Sequence, residues 1–145
     1  VTLITLWMPL STAYNNALNP PMGEDIKPVL AYIRDHMQKD DIIYVHNGSV
    51  TPFMYYAPFY GLDVSETFVA KKSWNVKRFT IDVEDLRGSN RIWFIFSHVI
   101  SCDCDGDSRE DRVQAHVQIL DEYGVQLDRF EASKAVVYLY NLSRR

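Results

Sequence analysis

Polar residues at the ends of two apolar runs are the part of this sequence best suited to chemistry. The run Ile42–Val45 is followed by His46 and Asn47, and the run RIWFIF is followed by Ser97 and His98. An imidazole can transfer a proton, while amide and hydroxyl groups can bind phosphate oxygens or sugar hydroxyls. In an open parallel sheet, ligands bind beyond the carboxyl ends of the strands. The sequence therefore predicts a polar crevice where two neighbouring strands end.

The segment that follows Asn47 extends this predicted crevice. Thr51 can cap a helix that has Pro52 at its first position, and the free amides of that helix would then point to the same edge. The aromatic rings of Tyr55 and Tyr56 are suited to stacking on a sugar. The predicted ligand-binding residues are therefore His46, Asn47, Ser49, Thr51, Ser97, His98, Tyr55 and Tyr56.

Other motifs in the sequence do not indicate a cofactor or a metal. The chain contains no glycine-rich dinucleotide motif, no GxSxG motif and no Walker lysine. The acidic segment 103–111 begins like a calcium-binding EF-hand loop, but Ser108 and Gln114 occupy positions that require Gly and Glu. Cys102 and Cys104 could form a CxC disulfide or remain two free thiols. We therefore expect no cofactor and no metal ligand in this chain.

Composition and charge are those of one ordinary globular domain. The chain has 145 residues, of which 23% are charged and 47% are apolar, and its net charge is −4. It has no basic stripe that could neutralise nucleic-acid phosphates. Nucleic acid is therefore not an expected partner.

The periodicity of apolar residues predicts alternating helices and strands. Helices are expected near residues 24–37, 52–60 and 109–123, with a helical turn at 82–86, and strands near 42–45, 67–69, 79–81, 91–99, 125–131 and 135–142. The last two strands are joined by a short turn, so they must be antiparallel. This order predicts an α/β fold, a three-layer sandwich with a mainly parallel, Rossmann-like sheet and a C-terminal antiparallel hairpin.

The first residues differ in composition from the rest of the chain. Val1–Leu10 is almost entirely apolar, and no charge occurs before Glu24. Ten helical residues would cross only about half of a hydrocarbon core of roughly 30 Å. The segment is either a buried helix or strand, or the end of a transmembrane helix. We expect residues 1–19 to form this apolar leader or helix end, and residues 20–145 to form a single soluble α/β domain.

Three stretches together resemble a known family. They are EDIKPVLAYIRDHMQKDDIIYVHNGSVTPFMYYAPFYGL, RIWFIFSHV and AVVYLYNL. This combination resembles the C-terminal extracytoplasmic domain of bacterial, especially cyanobacterial, polytopic membrane glycosyltransferases of the dolichyl-phosphate-mannose protein mannosyltransferase-like type. The resemblance covers roughly Pro20 to Leu142, and the chain departs from the usual family pattern at His46 and Asn47.

The resemblance implies a domain that is not catalytic by itself. The catalytic carboxylate and the lipid-phosphate-sugar site would lie in the membrane-embedded part of the same polypeptide, which would be the partner of this domain. The domain would be membrane-anchored on the periplasmic side, where it covers the active site or binds an acceptor glycan, a protein or a polyprenyl-phosphate sugar. Two alternatives remain open from the residues: a small α/β enzyme using His46 or His98 as acid–base on a phosphorylated or sugar substrate, and a structural assembly module.

Overall fold

The computed structural model describes residues 26–65, 68–69, 76–97, 109–132 and 135–143. Within these ranges the chain forms one five-stranded sheet with helices packed on both of its faces. The strands are β1 (Ile42–Val45), β2 (Phe68–Val69), β3 (Ile92–Phe96), β4 (Val125–Ala132) and β5 (Ala135–Asn141). The α-helices are α1 (Lys27–His36), α2 (Val50–Tyr56), α3 (Val76–Asp85) and α4 (Arg109–Tyr123).

The sheet is mixed, so the predicted mainly parallel, Rossmann-like sheet is wrong. The strand order is β2-β1-β3-β5-β4, in which β1 pairs in parallel with β2 and β3, whereas β5 pairs antiparallel with both β3 and β4. The β4–β5 hairpin lies at one edge of the sheet and joins β3 through β5, with β4 outermost. The two longest pairings of the described sheet, β3 with β5 and β5 with β4, are therefore antiparallel.

Alternating side chains of the strands build two separate apolar cores. On one face, side chains such as Ile43, Val45, Trp93 and Ile95 pack against α1 and α2. On the opposite face, side chains such as Tyr44, Phe94 and Phe96 pack against α3 and α4. Because every residue of β3 and β5 is buried, both strands carry almost uninterrupted apolar sequence. β4 alternates between exposed and half-buried residues near its end, as expected for an edge strand.

Most predicted elements are present, with one wrong assignment. The strand predicted at residues 79–81 is part of α3, in which Phe79, Asp82 and Val83 are buried at helical spacing. The predicted second helix begins at Val50 and is preceded by a 3-10 turn, Asn47–Ser49. A second 3-10 turn, Ala57–Tyr60, continues α2, and Gly61 ends it with a positive φ of 71°. The predicted apolar leader, residues 1–19, lies outside the described residues.

The junction between α4 and β4 requires a glycine, which gives a first prediction. A Cβ atom at Gly124 would overlap the carbonyl oxygen of Asn141 and lie 2.6 Å from Leu142 Cδ2. The nearest atom is a backbone oxygen, which cannot turn aside as a side chain could. We therefore expect Gly124→Ala to lower the free energy of unfolding by about 2 kcal/mol. Urea unfolding would measure the change, with the exposed Gln118→Ala on the same helix as control. An unchanged midpoint for Gly124→Ala would contradict the close approach.

Candidate functional site

The carboxyl ends of β1 and β3 lie side by side, as the sequence predicted. Val45 is paired with Ile95, and the N–H of His46 donates to the carbonyl oxygen of Ile95 at 3.1 Å. The side-chain oxygen of Ser49 accepts from the N–H of Ser97 at 2.6 Å and lies 3.2 Å from the carbonyl oxygens of Ile95 and Ser97. Ser49 is fully buried, so its hydroxyl joins the two strand ends and stabilises the turn.

His46 points into the protein interior. Its side chain is 1% exposed, and its ring lies 5.3 Å from that of Phe96 and 5.0 Å from that of His116, centroid to centroid. The N–H of Gly48 donates to His46 Nδ1 at 3.4 Å. Burial lowers the pKa of His46 to about 3, and the neighbouring His116 contributes to the decrease. His46 is therefore a neutral imidazole at pH 7.

His116 lies on α4, and its contact with His46 was not predicted from the sequence. Its Nδ1 lies 2.6 Å from the carbonyl oxygen of Arg112, so Nδ1 carries the proton and donates. The centroid of its ring also lies 4.6 Å from the centroid of the Phe79 ring. Burial lowers the pKa of His116 as well. We call His46 and His116 the imidazole pair.

Ser97 Oγ and His116 Nε2 are buried without a hydrogen-bond partner among the described residues. Such groups are costly to bury. Together with the burial of His46 and Ser49, they show that the described part of this region is an interior polar cluster rather than an open binding surface.

The remaining residues of the predicted crevice are distributed differently. Asn47 is half-buried and Thr51 is exposed. The predicted free amides are used within the turn: Gly48 donates to His46 Nδ1, Ser49 to the carbonyl oxygen of His46 at 2.7 Å, and Val50 to that of Asn47. His98, like Cys102 and Cys104, lies outside the described residues. The structure thus brings His46, Ser49 and Ser97 together, but inside the protein.

Tyr55 and Tyr56, the predicted stacking residues, belong to a separate open groove. The groove has a volume of about 480 Å³ and is lined by Lys27, Tyr55, Tyr56, Phe59 and Tyr60. We call it the aromatic groove. Tyr55 is 66% exposed and Phe59 is 76% exposed, while Tyr56 and Tyr60 are half-buried. The ring of Tyr55 lies 4.8 Å from that of Tyr56 and 6.0 Å from that of Phe59.

The local sequence explains why these rings face outward. In the segment PFMYYAPFY, Phe53 and Ala57 are fully buried four residues apart and anchor α2 and the following 3-10 turn to the core. Tyr55 and Phe59 are also four residues apart and therefore lie on another face of the same short segment. Large apolar residues exposed together are uncommon unless they bind something. The aromatic groove is therefore the better candidate for ligand binding.

Lys27 supplies the one charged group among the described residues that line the groove. It is the first residue of α1, and its Nζ lies 5.2 Å from the centroid of the Tyr56 ring. The packing of α1 beside α2 on one face of the sheet brings it there. Lys27, Phe59 and Tyr60 also line the groove but were not among the predicted ligand-binding residues.

Comparison of the chain with protein-family models, with curated proteins and with solved structures found no match. Within the described ranges, no three or more His, Cys, Asp or Glu side chains lie close enough together to hold a metal ion. None of the helices in the same ranges is long and apolar enough to span a membrane.

Proposed function

We propose that this chain is a non-catalytic, extracytoplasmic sugar-binding domain of a membrane glycosyltransferase. In this proposal the aromatic groove holds the acceptor glycan near the membrane-embedded catalytic part of the same polypeptide. The single observation that supports sugar binding is the exposure of Tyr55 and Phe59 side by side in an open groove. The glycosyltransferase assignment rests on the sequence resemblance of the stretches quoted above.

The chemistry of the groove suits a carbohydrate. A pyranose ring has faces of C–H bonds that pack on aromatic rings, and its hydroxyls remain hydrated at the rim of an open site. Tyrosine supplies an apolar ring together with a hydroxyl that donates and accepts hydrogen bonds. Four aromatic side chains and one lysine therefore offer stacking surfaces and polar contacts at once.

The alternative of an acid–base enzyme has two candidate residues, of which His98 lies outside the described residues and His46 has little support. His46 is 1% exposed, and the low pKa of its imidazole keeps it unprotonated at neutral pH. A general acid or base must reach a substrate within hydrogen-bond distance. The buried position of His46 does not provide that access, so we do not assign it a role in proton transfer.

Sugar binding can be tested with isotope-labelled protein and NMR titration of oligosaccharides first selected on a glycan array. We expect Tyr55→Ala and Phe59→Ala each to weaken binding about two- to tenfold, because each removes one stacking surface. The matched control is Met54→Ala, which removes an exposed apolar side chain of the same helix that does not line the groove. Absence of binding, or equal affinity in all four proteins, would contradict the proposal.

The glycosyltransferase assignment needs a separate test. An antibody raised against this domain should detect a membrane-bound polypeptide in the source cells that is much longer than 145 residues. Protease added outside the cytoplasmic membrane should remove the epitope. A short polypeptide recovered from the soluble fraction would overturn the assignment, whatever the result of the sugar titrations.

A further inference from the structure

β4 is the outermost strand of the described sheet and can accept a further strand. Among the described strands only β5 pairs with it, so the other edge of β4 has no strand beside it in that part of the chain. β4 spans eight residues, more than any other strand of the described sheet, and its Val125 and Leu127 side chains are exposed. The edge of a strand presents a row of backbone N–H and C=O groups that can pair with another chain.

The side chains near the end of β4 alternate between the two faces of the sheet. Arg129 and Glu131 are paired with residues of β5 whose side chains belong to the core beneath α3 and α4. Nη2 of Arg129 donates to Glu131, and both side chains are about half exposed. Phe130 instead faces α1, where its ring stacks on that of Tyr32 with the centroids 4.4 Å apart. One face of this edge therefore carries a cation and an anion two positions apart, and the other face carries an aromatic ring.

This pattern of charges is complementary to itself in one register. When two identical strands pair antiparallel, residues directly opposite each other have their side chains on the same face. A pair centred on Phe130 places Arg129 of each copy opposite Glu131 of the other. Pairs centred on Asp128, Arg129 or Glu131 instead place two like charges opposite each other, which is destabilising. Among the registers centred on residues 128–131, the charges therefore favour the one centred on Phe130.

We infer that β4 pairs antiparallel with β4 of a second copy of this chain, in the register centred on Phe130. The side chains of Arg129 and Glu131 from both copies then alternate in sign on one face of a continuous sheet. The two Phe130 rings lie opposite each other on the other face. Charged side chains on an edge strand discourage pairing with unrelated strands. A second copy is the exception, because each charge then lies opposite one of the other sign.

The symmetry of this dimer also determines where the two aromatic grooves lie. Two antiparallel edge strands are related by a twofold axis perpendicular to the sheet, and such an axis keeps each face on its own side. The helices α1 and α2 of both copies, with their grooves, therefore lie on one side of the joined sheet. The inference goes beyond the proposed function and does not depend on it, since the strand edge and the groove have no lining residue in common.

Sedimentation velocity at protein concentrations from about 10 to about 500 µM measures the association. We expect the wild type to change from monomer to dimer with a Kd of about 50 µM, because an edge-to-edge contact buries little surface. Arg129→Glu places two carboxylates opposite two carboxylates, and Glu131→Arg places guanidinium groups opposite each other. Each variant should weaken association at least about tenfold. The double variant, which exchanges the two charges, should restore the Kd to within about threefold of wild type.

A mixture of the two single variants provides the sharpest comparison. One chain then carries two anions at the paired positions and the other carries two cations, so variants that are each monomeric at about 100 µM should associate when mixed in equal amounts. Asp85→Arg changes the net charge as Glu131→Arg does but lies on α3, where it is exposed, and should leave the Kd unchanged. A wild type that stays monomeric at every concentration, or a Kd that neither single variant changes, would overturn the inference.

A disulfide tests the register. Opposite Cβ atoms of an antiparallel pair lie about 4.5–5.5 Å apart, close to the separation that a disulfide requires. In a chain that also carries Cys102→Ser and Cys104→Ser, Phe130→Cys should form a covalent dimer under mild oxidation. Adding Arg129→Glu to that chain should slow the reaction at least about tenfold, because the charges then repel. Absence of the covalent dimer, or equal rates in the two chains, would overturn the inference without affecting the proposed sugar binding.

Discussion

Acidification from pH 7 to pH 4 is expected to lower the free energy of unfolding by about 3 kcal/mol or more through the imidazole pair. Burial holds the pKa of His46 near 3 in the folded chain and lowers the pKa of His116 as well, whereas an unfolded histidine titrates near 6.5. Below pH 6.5 the unfolded state therefore binds more protons than the folded state. The contribution of these two histidines to the free energy of unfolding is therefore complete above pH 6.5 and decreases steadily as the pH falls toward 3.

Urea unfolding at half-unit steps of pH would measure this slope, and two variants would assign it. His116→Phe replaces a ring beside Phe79 and Phe96 by another aromatic ring, so the slope between pH 6.5 and pH 4 should become shallower. Val117→Ala on the same helix should lower stability equally at every pH, because it removes buried methyl groups and no titrating group. If the slope of His116→Phe matched that of the wild type, the imidazole pair would not be its origin.

Most helices and strands of this fold could be predicted because the residues that indicate them are neighbours in the sequence. β1 is an apolar run bounded by Asp41 and His46, and α4 ends where Gly124 follows its last apolar residue. The error at residues 79–81 also has a local cause. Phe79 and Ile81 alternate with a polar residue over too few positions to distinguish a strand from a helix. The wider spacing of Phe79, Val83 and Leu86, all buried, is helical.

The sheet order could not be derived in the same way. A short turn between β4 and β5 required an antiparallel pair, but it did not say which of the two strands would join β3. The unbroken apolar run of β5 and the mixed sequence of β4 contained that information: a strand buried on both faces belongs inside the sheet. Placing β5 beside β3 makes the sheet mixed, and this single choice is why the mainly parallel arrangement was wrong.

The candidate site was predicted in part for the same reason. Tyr55 and Tyr56 are adjacent in a run of aromatic residues, so their proximity needed no tertiary information. Lys27 reaches the same groove only because α1 and α2 pack on one face of the sheet. The contact between His46 and His116 likewise depends on α4 covering the end of β1. No spacing in the sequence encodes either contact.

Replacement of the buried carboxylate of Asp41 is expected to have a large effect: Asp41→Ala should lower the free energy of unfolding by about 3 kcal/mol. Its side chain is 1% exposed and accepts from Arg91 Nε at 2.7 Å, from Arg91 Nη2 at 3.3 Å and from Trp93 Nε1 at 2.8 Å. The variant would leave a fully buried indole N–H and a largely covered guanidinium without their shared acceptor.

A second ion pair separates the expected effect of burial from that of distance. Arg34 and Asp35 have the same 2.7 Å separation, but both side chains are about half exposed. Asp35→Ala should therefore change the urea midpoint little, since an exposed pair exchanges its contact for water. Asp41→Asn keeps one acceptor oxygen and should fall between wild type and Asp41→Ala. Equal midpoints for Asp41→Ala and Asp35→Ala would show that the junction of β1 and β3 does not depend on this carboxylate, and that Trp93 and Arg91 find other acceptors when it is removed.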